Sequence, residues 1–133
     1  MTKNIDIHDR LLKFGIRIVM LSRILAKQLE NRSIADQLIR SGTSVGANMQ
    51  EADAASSKRD FINKVNISKK EIQETNYWLK IIDGAKLINN ENNMLELGQL
   101  LAESEELKRI IGAILFRSKE NQYNTNAKWK YIS

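Results

Sequence analysis

The chain has 133 residues, no cysteine and a formal net charge of +5 at pH 7. This length suits one domain with its own hydrophobic core, and the absence of cysteine excludes thiol catalysis, cysteine-based zinc sites and a disulfide framework. A basic excess of this size is compatible with a polyanionic partner, and it is equally an ordinary charge for a soluble protein.

The absence of proline and the presence of only six glycines favour long helices. We find neither a secretory signal nor a run of about 18 apolar residues, so we expect a soluble, cytoplasmic protein with no membrane partner. Hydrophobic periodicity marks four helical segments joined by short connections. They predict an all-α fold, an antiparallel up-down-up-down four-helix bundle over residues 1–116, followed by a polar, basic-aromatic tail over residues 117–133.

The first helical segment runs from about Ile7 to Leu29 and is apolar on two faces. One face carries Leu11, Phe14, Ile18, Leu21 and Leu25. The second face carries Leu12, Ile16 and Val19. A helix that is apolar over most of its circumference is usually buried on two sides. This helix is therefore predicted to contact both its own bundle and another subunit, which makes the protein a homo-oligomer.

The second segment is predicted to begin after the N-cap Ser33 and to carry a narrow core-facing seam with alternating four- and three-residue spacing. The seam consists of Ile34, Leu38, Ser41, Val45, Asn48, Ala52 and Ala55. Gly42 and Gly46 lie on one flank, where they would let a neighbouring backbone approach closely. A phosphate-binding loop is the alternative for this glycine-containing run, but the Gly-x-x-x-x-Gly-Lys-Ser/Thr pattern and a preceding strand are both missing.

The third segment is predicted to begin after the N-cap Ser57 and to end at Gly84. Its seam keeps the same spacing through Phe61, Val65, Ser68, Ile72, Thr75, Leu79 and Ile82. The fourth segment runs from about Asn92 to Phe116. Its apolar positions are Met94, Leu97, Leu101, Leu107, Ile111 and Ile114. An acidic patch on this helix is most simply a solvated face, and its members are Glu103, Glu105 and Glu106.

Charged residues lie beside the seams of the second and third helices. At about 100° per residue, one flank of each helix carries a polar set. The sets are Arg40, Ser44, Ala47 and Glu51 on the second helix, and Glu71, Glu74 and Trp78 on the third. A tight reversal between the helices puts Arg40 level with Glu71 and Glu74. We therefore predict an Arg–Glu cluster that fixes helix register or joins subunits.

No constellation for catalysis is evident. A di-metal centre in a helical bundle would need two Glu-x-x-His motifs, and the only histidine is His8. His8 also lacks the serine and acid partners of a nucleophilic triad. We therefore expect no metal, no cofactor and no enzymatic activity.

The basic residues are the candidate nucleic-acid contacts. In the helices they are Arg10, Lys13, Arg17, Lys58, Lys64, Lys69 and Lys70. In the tail, Lys119, Lys128 and Lys130 alternate with Tyr123, Trp129 and Tyr131, and this mixture of cations with aromatic rings suits phosphate contact and base stacking. A loosely packed extension is the alternative interpretation of the tail.

Two runs, residues 40–52 and 66–79, together resemble the signature of the small bacterial proteins encoded by intervening sequences within 23S ribosomal RNA genes. The resemblance is carried by Arg40, Ser41, Ser44, Gly46, Asn48, Glu51 and Ala52, and by Glu71, Glu74, Trp78 and Leu79. It spans residues 7–116 and implies four-helix subunits in a closed ring, typically a homopentamer. Related proteins are accessory subunits of diversity-generating retroelements, where a basic barrel binds nucleic acid and the reverse transcriptase.

Two classes of function remain open. The resemblance and the basic residues favour an oligomeric protein that binds structured RNA or another nucleic acid. The alternative is a protein-interaction scaffold or an accessory subunit, for example to a reverse transcriptase, whose charge serves solubility alone. Cations of the first and third helices that converge on one face of the assembled ring would favour nucleic-acid binding, and scattered cations would favour the scaffold.

Overall fold

A computed structural model describes residues 6–120 of the chain. This part folds into four α-helices, with no strand, and the helices pack as in a four-helix bundle. The helices are α1 (Ile7–Leu25), α2 (Arg32–Asp53), α3 (Lys58–Gly84) and α4 (Glu91–Glu120), and a short 3-10 helix, Leu29–Asn31, precedes α2. The predicted all-α fold is confirmed. None of the four helices is long and apolar enough to span a membrane.

Two helix boundaries between α1 and α2 differ from the predictions. The chain leaves helical geometry at Gln28, whose ψ is 128°, so α1 ends at Leu25 instead of Leu29. The 3-10 helix that follows brings the chain directly into α2, for which Asn31 is the N-cap residue. The prediction that Ser33 caps this helix is therefore wrong, because Ser33 already lies inside the first turn.

The boundaries of α3 and α4 agree more closely with the sequence. The Ser57 side chain accepts a hydrogen bond from the backbone N–H of Asp60 at 3.0 Å, which confirms it as the N-cap of α3. Gly84 is the last residue of α3, but the left-handed conformation beyond it is adopted by Lys86, with φ of 56°. Helix α4 continues to Glu120, beyond the expected end at Phe116, and buries Ser118 in its last turn.

The core lies between the four helices and follows the predicted seams with local exceptions. The predicted inner face of α1 and the whole seam of α3 are buried. In α2, Ala35 and Met49 are buried, whereas the predicted Ile34 and Asn48 are only half-buried. In α4 the predicted Met94 and Leu101 are exposed and half-buried, respectively, and the buried positions are Leu97, Leu100, Ser104, Leu107, Ile111, Ile114, Leu115 and Ser118.

The glycines of α2 allow α1 to approach closely, as predicted. A Cβ atom placed on Gly42 would lie 2.6 Å from Cγ2 of Ile18, and one on Gly46 would lie 3.3 Å from Cβ of Leu11. Both apolar partners are buried core residues of α1. At these two positions, the side chains of α1 therefore pack directly on the backbone of α2.

Small polar side chains inside the core link neighbouring helices. Ser68 donates a hydrogen bond to the carbonyl of Val45 at 2.8 Å, and Thr75 lies 3.0 Å from the Ser41 hydroxyl. The Asn76 amide donates to Ser104 at 2.7 Å. Because buried polar groups are costly without partners, these bonds favour one register of α2, α3 and α4 over others.

Each helix packs against two neighbours. Helix α1 packs on α2, α2 on α3, and α3 on α4, and a thinner contact joins α4 back to α1. Helices α1 and α3 are therefore diagonal partners in this cycle, and so are α2 and α4. The α1–α2 side of the bundle consequently lies opposite the α3–α4 side.

Candidate nucleic-acid interface

The basic residues predicted on α1 do not form an open basic surface. Arg10 binds Glu103 of α4 through two hydrogen bonds of 2.7 and 2.8 Å. Arg17 binds Glu96 of α4 in the same way, with both bonds at 2.8 Å. The hydrogen bond to the carboxylate is the main cause that raises the pKa of each arginine. These arginines hold α4 against α1.

The acidic residues of α4 are paired with cations; Glu105 and Glu106 lie at the solvated surface, as predicted, whereas Glu103 is partly buried against α1. Glu103 binds Arg10, and Glu106 pairs with Arg109 one turn away. Glu105 pairs with Lys108 at 3.1 Å and with Lys80 of α3 at 3.6 Å. A cation neutralises each of the three carboxylates.

The predicted lysines divide among different surfaces. Lys13 pairs with Asp9 on exposed α1, and Lys64 pairs with Glu51 of α2 at 2.8 Å. Lys70 is exposed on the outer side of α3. Because α1 and α3 are diagonal, the cations of these two helices do not converge on one face of the subunit. The tail candidates Lys128, Trp129 and Lys130 lie outside the described residues.

Five lysines do share one surface, which we call the lysine groove. It runs between α3 and α4 and is defined by Lys58, Lys69 and Lys80 of α3 and by Lys108 and Lys119 of α4. Lys80 and Lys108 both bind Glu105, which joins the two helices near the middle of α4. Lys58 and Lys119 line one cavity where α3 begins and α4 ends.

Spacing along each helix explains the alignment of these lysines. Lys58, Lys69 and Lys80 follow one another at intervals of eleven residues, and Lys108 and Lys119 are eleven residues apart as well. Eleven residues make about three full turns, so side chains at this interval lie on the same helix face, roughly 16 Å apart. The three lysines of α3 therefore extend over about 33 Å.

The groove retains a strong positive charge. Glu105 is the one acidic residue that pairs with its lysines in the described chain, and the neighbouring Lys108, followed by Lys80, lowers the pKa of that carboxyl group. Lys58, Lys69 and Lys119 form no ion pair with any described residue. Glu105 thus holds two lysines in place, while the charges of the other three are not neutralised by an acidic residue in this part of the chain.

Sequence reasoning identified Lys58 and Lys69 of this groove, assigned Lys119 to the tail, and missed Lys80 and Lys108. The missed signal was the eleven-residue interval, which is present in both helices. The interval shows that the lysines of each helix are aligned. Only the packing of α3 beside α4 shows that the two rows of lysines face the same side of the bundle.

The predicted cluster of Arg40 with Glu71 and Glu74 is not formed as an ion pair. Arg40 is exposed and donates a hydrogen bond to Gln37 on its own helix. Glu74 instead accepts a hydrogen bond from the Trp78 indole at 3.0 Å, and Arg40 acts on Glu71 through charge alone. Arg40 lies close enough to Glu71 to act on it, as predicted, but within one subunit Arg40 and Glu74 form their hydrogen bonds inside their own helices.

The remaining residues of the two sequence runs support the local structure of α2. Ser44 donates to the carbonyl of Arg40 at 2.6 Å, and Asn48 donates to the carbonyl of Ser44 at 2.8 Å. Ser41 and Gly46 face the core and α1, respectively, and Glu51 binds Lys64. These residues serve packing and helix pairing within the subunit.

Comparison with known proteins assigns this fold to a family. A family model described as 23S rRNA-intervening sequence protein matches residues 3–113. The chain belongs to this family. A crystal structure of a protein with unknown function from the S23 ribosomal protein family of Bacteroides thetaiotaomicron is 36% identical, with a TM-score of 0.74. The match covers 83% of this chain and 98% of that one. No protein with curated annotation matches.

In this intervening-sequence protein, no group of three or more His, Cys, Asp or Glu residues within residues 6–120 has the arrangement of a metal site. On the α2–α3 side, the carboxyl group of Glu71 is partly buried and lies near the charges of Glu74 and Arg40. Burial, followed by repulsion from Glu74, raises the pKa of Glu71, and Arg40 offsets part of that increase.

The raised pKa of Glu71 predicts a pH-dependent effect of Glu71→Gln. A carboxyl group whose pKa is higher in the folded state stabilises the fold below its unfolded pKa of about 4.3, and that contribution is lost as pH rises through the folded value. Since glutamine resembles the protonated form, the variant should melt at a higher temperature than the wild type at pH 7, with the difference shrinking toward pH 4. Thermal denaturation across this range is the measurement, and a difference that does not vary with pH would contradict the assigned cause.

Proposed function

We propose that this family member is a non-enzymatic protein that binds structured RNA, or another nucleic acid, along the lysine groove. One observation carries the proposal: five lysines from two helices align on one side of the bundle, and three of them have no ion-pair partner among residues 6–120. The proposed setting is the cytoplasm.

The groove suits a phosphate backbone better than it suits base recognition. Lysine side chains act as flexible point charges, and their repeat over about 33 Å of α3 favours an extended polyanion. Double-stranded RNA is recognised largely through its shape and its phosphate and 2′-hydroxyl contacts. Binding of this kind releases counterions and is therefore salt-dependent.

We also propose an antiparallel up-down-up-down bundle. Pairs of contacting residues support it. Along two neighbouring helices the residue numbers of successive contacts increase on one helix and decrease on the other, which means that the helices run in opposite directions. On α1 and α4 the pairs are Arg10–Glu103 and Arg17–Glu96. On α2 and α3, Glu51 contacts Lys64 and Ser41 contacts Thr75.

The proposed assembly is a closed ring, and the family resemblance favours five copies. An exposed apolar stripe on α1 supports self-association, with side-chain exposures of 61% for Leu12, 53% for Ile16 and 52% for Met20. The stripe borders a cavity of about 530 Å³ between α1 and α2. Because this side lies opposite the groove, contacts through the stripe leave the groove open. Several copies of a weak site would then act together through avidity.

Self-association through the stripe predicts a clear mass change. The wild type should sediment as a closed oligomer at micromolar concentration, whereas Ile16→Glu should shift it toward the monomer, because burying an unpaired carboxylate in an apolar contact is unfavourable. The matched control is Gln73→Glu, a change at an exposed position of α3 with the same added charge. A wild-type monomer in sedimentation equilibrium would refute the ring, and an Ile16→Glu oligomer of unchanged size would place the contact elsewhere.

The second candidate function is a scaffold or accessory subunit, for example to a reverse transcriptase. It is favoured by the same α1–α2 cavity, whose apolar lining includes Leu12, Ile16, Val19 and Ala47. A partner protein with an apolar helix would fit this surface. In that case the groove lysines would contribute solubility rather than binding.

A salt titration of RNA binding tests the choice between the two functions. Fluorescently labelled 23S rRNA fragments should bind the full chain at about 50 mM salt, and log K should fall linearly with log salt concentration up to about 200 mM. The slope counts the phosphate contacts. Absence of binding at the low-salt end would refute nucleic-acid binding and leave the scaffold function.

A further inference from the structure

We propose that the lysine groove ends in a binding site for a phosphate monoester, the chemistry of a 5′-terminal phosphate on a nucleic-acid strand. This inference rests on the proposed function and adds the chemical group recognised at one end of the groove. The site is an open cavity of about 540 Å³ lined by Lys58, Arg59, Ile62, Asn63 and Lys119. Two of these residues belong to the groove, so the cavity is its continuation at the end of the bundle.

The charge of the cavity is unbalanced. Three of its described lining residues are cationic, one is an amide and none is acidic. The ammonium nitrogen of Lys58 is buried and has no hydrogen-bond partner among the described residues. A buried ammonium that loses its hydration without gaining a partner is unfavourable. An anion bound in the cavity would supply the missing acceptor.

The start of α3 adds backbone N–H groups beside the cavity, and its first turn carries the carboxylate of Asp60 together with the cations of Lys58 and Arg59. Ser57 caps one backbone N–H of the first turn, that of Asp60, and the helix begins at Lys58 on the cavity wall. Other N–H groups of a first helical turn have no partner within the helix, and the helix dipole favours negative charge there. A helix N-terminus alone would not define a site. The buried ammonium of Lys58 and the cations of Arg59 and Lys119 give it independent support.

Charge and size together favour a monoester. A phosphate monoester carries about −1.5 to −2 charges near pH 7, whereas an internal phosphodiester carries one, so three cations match the monoester better. The volume lies in the range of about 300–1,000 Å³ that is typical of small-ligand sites. It leaves room for the attached nucleotide, against which Ile62 offers an apolar surface.

Paired RNA ligands test the site. The full chain is titrated with two single-stranded RNAs of the same sequence, labelled at the 3′ end, one with a 5′-phosphate and one with a 5′-hydroxyl. Anisotropy should show about tenfold tighter binding of the phosphorylated RNA, as expected for charge-assisted hydrogen bonds. Lys58→Met and Lys119→Met should each reduce this preference toward unity. Lys27→Met removes the same charge at the opposite end of the bundle and should keep the preference.

Inorganic phosphate separates this inference from RNA binding as such. It should raise the melting temperature of the wild type more than that of Lys58→Met, because a ligand stabilises the state that binds it. Equal stabilisation of both proteins would overturn the site, since phosphate also stabilises proteins through exclusion from their surfaces. Equal affinity for the two RNAs would overturn the 5′-phosphate assignment and leave the proposed function intact. Phosphate binding without RNA binding would support the site and refute the proposed function.

Discussion

Charge reversal in the lysine groove is expected to cause the largest loss of RNA binding. In Lys69→Glu/Lys119→Glu, two groove lysines without an ion-pair partner in the described chain become acidic. Each lysine that contacts a phosphate contributes about one to the slope of log K against log salt, so the slope should fall by about two. Affinity should decrease at every salt concentration, and most strongly at the low-salt end. Fluorescence anisotropy with duplex RNA provides both quantities.

The matched control for this variant is Arg23→Glu/Lys27→Glu. It makes the same change in net charge at exposed positions near the end of α1, on the other side of the bundle. Its slope should stay close to that of the wild type, because long-range attraction is screened over about 8–10 Å at these salt concentrations. Equal losses in the two variants would mean that overall charge, and not the groove, attracts the RNA.

Substitution of Gly42 is expected to have the largest effect on stability. In Gly42→Ala, the new Cβ would lie 2.6 Å from Cγ2 of Ile18 and 3.1 Å from its Cβ. Ile18 is completely buried, and a β-branched side chain in a helix has one strongly preferred rotamer, so the methyl group cannot move aside cheaply. Overpacking of this kind typically costs about 1–3 kcal/mol, and the gain in helix propensity of about 1 kcal/mol offsets only the lower limit of that range.

Gly98→Ala provides the comparison, because a Cβ at Gly98 meets no atom within 4 Å. This substitution should stabilise the protein by up to about 1 kcal/mol through helix propensity alone. Urea denaturation of both variants should therefore show opposite signs, with Gly42→Ala less stable than the wild type and Gly98→Ala more stable. Equal stabilisation by both substitutions would mean that α1 can move away from α2 without cost.

The sequence predicts the fold of this protein much better than its candidate binding surface. Periodicity identified the buried face of α1 and the whole seam of α3, because burial repeats with the geometry of a single helix. It failed at Met94, which satisfies the spacing but lies near the exposed start of α4. Periodicity identifies which face of a helix is apolar, but it does not show how far along that helix the neighbouring helices cover it.

The candidate site depended on relations between helices, which local patterns do not contain. Arg10 and Arg17 have the composition of a basic surface, yet their partners are acidic residues about 80 to 90 positions further along the chain. Lys80 and Lys108 were missed, and Lys119 was assigned to the tail, for the complementary reason: their common surface exists only when α3 and α4 lie side by side. Charge counts along the sequence therefore selected two arginines that pair with α4 and omitted two lysines that lie on the surface shared by α3 and α4.

The contact between α1 and α4 makes one edge of the bundle sensitive to ionic strength. The other three helix contacts are more extensive, whereas this edge is held in large part by Arg10–Glu103 and Arg17–Glu96. Ions weaken such pairs more than they weaken apolar packing, so local opening should begin here and expose the amides of α1 to hydrogen exchange first. Salt concentration would then act on two equilibria in the same molecule, the release of a polyanion from one side and the loosening of the first helix on another.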